Sequence, residues 1–133
     1  MNETLKLLKN TEMFSEMREE VLRSLSDVMR RIQVEPGTRI IKKGSKGKSM
    51  FIIAEGTVKV HDGNHIHARL NAGDVFGEYA LLDEEKRSAS VTTDTASVLY
   101  KLEQDELYEL MSSNANFLKG VLRAFDQALA GAQ

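Results

Sequence analysis

The sequence predicts a mainly β fold with flanking α, a single domain over 1–133 with helices before and after a small barrel. Three observations predict it. Apolar residues recur at helical spacing near both ends, glycines cut the middle into short alternating runs, and Pro36 is the only proline. A chain of 133 residues with 41% hydrophobic content supports one core rather than two.

The helical start covers 1–31. Leu5 and Leu8, then Val21, Leu22, Leu25, Val28 and Met29, mark two helices parted near 10–15. The barrel is expected over 32–102. Ile32 and Val34 alternate with polar residues, Pro36-Gly37 reads as a turn, and β runs at 39–42, 49–54 and 57–61 are divided by Gly44, Gly47 and Gly56. Short, evenly spaced strands between glycine turns indicate a barrel or jelly roll rather than a βαβ sheet. At Asp62-Gly63-Asn64 a three-residue hairpin loop pairs Val60 with Ile66 and Val58 with Ala68. That register puts Val58, Val60, Ile66, Ala68 and Leu70 on one face and Asn64 in a left-handed conformation, whereas a two-residue loop puts histidines on that face. Further β runs follow at 88–92 and 96–102. Helical spacing returns over 103–133, first at 105–111 and then through Phe117, Leu118, Val121, Leu122, Phe125 and Leu129. Gly120 in the last helix costs about 1 kcal/mol against alanine, so it marks close packing or a flexible point.

Composition narrows the function. A net charge of −2 argues against a chain that coats nucleic acid, since that affinity comes from neutralised phosphates. With no cysteine, thiolate zinc sites, disulfides and a cysteine nucleophile are excluded. No stretch resembles a secretion signal or reaches membrane length, so a cytoplasmic protein that meets no membrane is expected. Gly47-Lys48-Ser49 imitates the end of a triphosphate-binding loop, but residue 42 is lysine where that motif needs glycine. Lys42, Lys43, Lys46 and Lys48 read as an exposed basic loop. His61, His65 and His67 share the outward face of the hairpin in the chosen register, with no carboxylate placed as base or second shell. No catalytic constellation stands out, so no enzyme, metal or cofactor is expected.

The chemistry lies in 74–91. Gly77 lets backbone approach a ligand closely, and Tyr79 to Leu82 has the composition of one helical turn whose free N–H groups suit an anion. Arg87 brings a permanent charge with forked donors, the side chain best fitted to a phosphate, and Ser88 adds a hydroxyl. Glu78 accepts only, which suits a sugar hydroxyl beside that phosphate. An ion pair between Glu78 and Arg87 is the bland alternative. The four charged residues at 83–86 read as a solvated loop.

The run from Phe76 to Val91 resembles the phosphate-binding cassette of the cyclic-nucleotide-binding domain family, which includes catabolite activator protein and protein kinase A regulatory subunits. A second stretch, Ile40 to Gly56, resembles that family's glycine-turn signature, with Ser45 where the family usually has an acidic or amide residue. The resemblance runs from about Leu8 to Leu129. It implies a double-stranded β-helix (jelly-roll) barrel with C-terminal lid helices, a sensor or regulatory module, and cAMP or cGMP as ligand, with cAMP favoured. It further implies Arg87 on the cyclic phosphate, Glu78 on the ribose 2′-hydroxyl and backbone N–H groups around Ala80 and Ser88 as further donors. Phe76, Gly77, Tyr79 and Ala89 complete the cassette, and Val60, Leu70 and Val75 are the expected base pocket. Leu122, Arg123 and Phe125 are the candidates for the lid. Signal transmission through the C-terminal helix to an effector protein, and a homodimer, are the expected partnerships. The rival readings are a fragment of a catabolite-activator-type regulator, a vestigial barrel that serves as an interaction surface and, last in order, an enzyme of cyclic nucleotides.

Overall fold

A computed structural model describes residues 2–82 and 86–131, and the side chains of these except at 79, 82, 124, 125 and 127–131. Two compact units emerge, Arg30–Gln104 and the helical segments on either side of it.

The barrel unit holds eight strands: β1 (Arg30–Val34), β2 (Arg39–Ile41), β3 (Ser49–Glu55), β4 (Val58–Asp62), β5 (His65–Leu70), β6 (Val75–Phe76), β7 (Ser90–Thr93) and β8 (Ser97–Glu103). They form two four-stranded sheets, ordered β1-β8-β3-β6 and β2-β7-β4-β5, in which every recorded pairing is antiparallel. This is the jelly-roll arrangement that short strands between glycine turns foretell. Alternation puts Ile41, Phe51, Ile53, Val58, Phe76, Val91 and Leu99 into one buried cluster, with the Phe51 and Phe76 rings stacked 5.0 Å apart. The strand β3 begins at Ser49, where a triphosphate loop would lead into a helix.

The hairpin between β4 and β5 departs from the expected register. Asp62 pairs with His65, so the loop is the two residues Gly63-Asn64, with Gly63 at φ +57° and no non-glycine residue at positive φ among those described. Positive φ at the first loop position alone is the mark of a type II′ turn, which matches strand twist. Val60 pairs with Ala68 and Val58 with Leu70, because a bulge between Val60 and His61 absorbs the residue that the longer loop was meant to hold. Val58, Val60 and Leu70 thus reach the core cluster, whereas Ile66 pairs with His61 and stays 38% exposed, and Ala68 is exposed. The histidines separate as well. His61 bonds through its ring to Thr92 Oγ1 at 2.7 Å and Gly63 O at 2.9 Å, while the His65 and His67 rings meet edge to face at 4.8 Å. Among the described residues no three His, Cys, Asp or Glu side chains gather as a metal site.

In the helical unit α1 (Glu3–Asn10) is capped by Asn2, whose Oδ1 accepts from Leu5 N–H at 2.6 Å. A 3₁₀ turn (Glu12–Phe14) leads to α2 (Glu19–Val28). Leu5, Leu8, Phe14, Val21, Leu22 and Leu25 are buried. After β8 and the one-turn helix α3 (Tyr79–Leu82) of the barrel unit come α4 (Gln104–Ser113) and α5 (Ala115–Gly131). Asn114 caps α5 by accepting from the N–H groups of Asn116 and Phe117. Among the described residues no helix is long and apolar enough to cross a membrane.

Candidate functional site

The site is built where β6 ends. Gly77 sits at φ +79°, a conformation glycine adopts without strain, and an added Cβ would stand 2.8 Å from Arg87 Nη1 and 3.0 Å from Ser49 O. Glycine is therefore required there twice over, by backbone and by space. The Gly77 carbonyl starts the turn of α3 by accepting from Ala80 N–H at 3.3 Å. A single turn lies below the length at which a helix holds itself. It is held from the start of α4: Gln104 Nε2 donates to Ala80 O at 3.1 Å and Leu81 O at 3.3 Å, while Leu81 is fully buried.

Arg87 is fixed on both its backbone and its side chain. Its N–H donates to Ser45 O at 2.7 Å, its carbonyl accepts from Gly44 N–H at 2.8 Å, and Lys46 bridges to Lys86 alongside. The guanidinium is half-buried, with Nη1 donating to Gly77 O at 3.2 Å and Nη2 to Ser49 O at 2.7 Å. Burial lowers its pKa, against the opposing pull of the Glu78 carboxylate. It stays a cation at any working pH. Two neutral carbonyls orient the charge without cancelling it, so the arginine keeps an attraction for an anion. Burial likewise raises the Glu78 pKa, opposed by its own backbone N–H and by Arg87.

Beside these groups lies a cavity of about 230 Å³. Ile41, Val60, Phe76 and Val91 are its apolar wall, Gly77, Ala80, Ser88 and Ala89 its small residues, and Lys86 and Arg87 its charges. Of the residues expected from sequence, Val60, Phe76, Gly77, Ala80, Arg87, Ser88 and Ala89 come together here. Leu70 packs against the barrel cluster and Val75 pairs with Ile52 in the sheet; neither lines the cavity. Glu78, next in the chain to Gly77, is not among the residues that line it, although its carboxylate feels the charge of Arg87. Tyr79 opens α3 with its backbone, and its side chain lies outside the described residues, as do the side chain of Phe125 and the loop at 83–85. Leu122 is 52% exposed and Arg123 is exposed. Ala80 N–H, an expected phosphate donor, is engaged within its own turn by a long bond.

Sequence reasoning missed Ile41 and Val91, which face each other across β2 and β7 and were legible as cross-strand partners. It also missed Ser49, which acts through a carbonyl that every residue possesses.

Comparison with known proteins gives the family and the fold. Residues 31–114 match the family model described as cyclic nucleotide-binding domain. The chain is 29% identical over 109 residues to the cAMP-dependent protein kinase type II regulatory subunit of Drosophila melanogaster, covering 81% of this chain and 29% of that protein. It therefore spans under a third of that relative's length. A solved regulatory domain of Toxoplasma gondii PKA in co-crystal with cAMP superposes with TM-score 0.73 at 27% identity, over 80% of this chain and 42% of that one. The N-terminal domain of a transcriptional regulator from Streptomyces coelicolor shares the fold, with TM-score 0.84 at 23% identity over 95% and 91% of the two chains.

Proposed function

This chain belongs to the cyclic nucleotide-binding domain family, and from that premise we propose that it is a sensor that takes cAMP, in preference to cGMP, into the Arg87 cavity and passes occupancy on through its C-terminal helix. One observation carries the reading. A half-buried guanidinium, oriented by two carbonyls and not neutralised by them, lines a cavity whose remaining wall is largely apolar. A cyclic phosphate supplies the missing anion, and Glu78 accepts from the neighbouring ribose hydroxyl. The base then lies on the apolar wall, where Val60 is joined by Ile41 and Val91. Support for cAMP comes from the relatives, of which one is a cAMP-dependent kinase subunit and another was crystallised with cAMP.

The reading is one of binding rather than turnover. Among the described residues, those lining the cavity include no carboxylate and no imidazole, the usual general bases. A ligand moves a conformational equilibrium only through unequal affinity for its states, so transmission requires that occupancy alter what α5 contacts. Calorimetric titration with cAMP, cGMP and 5′-AMP tests the proposal. The expected order is cAMP tightest and the open-ring monophosphate weakest. Absence of heat from both cyclic nucleotides refutes it.

A further inference from the structure

Gly47 lies in the loop between Ile41 and Ser49, and its backbone does not call for glycine. Its φ is outside the left-handed region that Gly44, three residues earlier, occupies at +87°. What excludes a side chain is Arg87. A Cβ on Gly47 would stand 2.1 Å from Nε, 2.2 Å from Cζ and 2.7 Å from Nη2 of the guanidinium. Gly120 differs: there an added Cβ meets its nearest neighbour, Val21 Cγ1, at an ordinary 3.5 Å.

The loop has little freedom to retreat. Gly44 N–H and Ser45 O bond the main chain of Arg87, and Lys46 bridges to Lys86. The flexible partner is the guanidinium, so a methyl group at 47 displaces it from Gly77 O and Ser49 O. We propose that Gly47 is a positioning residue for phosphate recognition, its bare α-carbon being the seat against which the guanidinium is aimed into the cavity. The inference rests on Arg87 being the phosphate anchor. It gives the glycine loop and the cassette, separated by some forty residues in the chain, one shared task.

Four proteins titrated with cAMP by calorimetry test it: wild type, Gly47→Ala, Arg87→Ala and the double variant. Gly47→Ala weakens binding by roughly tenfold or more, and the double variant binds no more weakly than Arg87→Ala alone, since a seat matters only when occupied. If wild type takes no cAMP, or Arg87→Ala binds as tightly as wild type, the anchor reading falls and this inference with it. If Arg87→Ala loses affinity while Gly47→Ala does not, or the two losses multiply, only the role of Gly47 is overturned. Should Gly47→Ala fail to fold, the double variant, freed of the obstacle, folds with the unfolding midpoint of Arg87→Ala; a double variant that also fails overturns the inference.

Discussion

Glu78 and Arg87 place opposite charges in one poorly solvated corner, and for each of them burial outweighs the attraction of the other. The consequence for Glu78 is a pH dependence. Its native carboxyl holds a proton to higher pH than in the unfolded chain, where it titrates near the ordinary 4.5. Between those two values the native state binds more protons, so stability falls as pH rises through the folded pKa and is level above it. Glu78→Gln lacks this loss. Urea unfolding as a function of pH is expected to show the variant gaining on wild type from about pH 4.5 upward, whereas parallel curves contradict the assignment. At this scale the sequence was most legible where a residue's own side chain marks it: Arg87 and Ser88 line the cavity as expected, whereas Glu78 does not. Gly47 and Ser49 were not legible, because a missing Cβ and a main-chain carbonyl acquire their roles only when the fold brings a guanidinium against them.

Among the elements, α3 and α5 make the clearest claims. α3 is a single turn whose Ala80 and Leu81 carbonyls accept from Gln104. Gln104→Ala leaves them to water and is expected to weaken cAMP binding several-fold, by roughly 0.5–1.5 kcal/mol, the range for one net hydrogen bond. Unchanged affinity in calorimetry would separate the turn from the site. In α5, Gly120→Ala adds a methyl in ordinary contact with Val21 and removes the helix penalty of glycine. The expected gain is up to about 1 kcal/mol in denaturant unfolding, and a loss of stability would show that the position needs glycine. Helices at both ends and short strands between them were readable from periodicity. The β4–β5 register was not, since a bulge and a longer loop place Val58 and Val60 equally well, and hydrophobic pattern alone does not choose between them.

For the whole molecule, the change of hydrophobic period from helical to alternating and back foretold helices, a jelly roll and helices, because each element must hide one face. Buried apolar residues occur in both units, Ile53 and Leu99 in the barrel unit and Leu8 and Leu22 in the helical one. Under the proposed function, cAMP held in the first alters amide exchange in Ala115–Gly131 of the second. Unchanged protection of that helix at saturating cAMP removes the transmission step while leaving the binding site standing. The binding claim itself depends on one charge. The affinity of Arg87→Ala for cAMP, measured by calorimetry beside wild type, tests it most directly. A loss of about 2–5 kcal/mol with the fold retained is the expected result, and wild-type affinity in the variant contradicts the account.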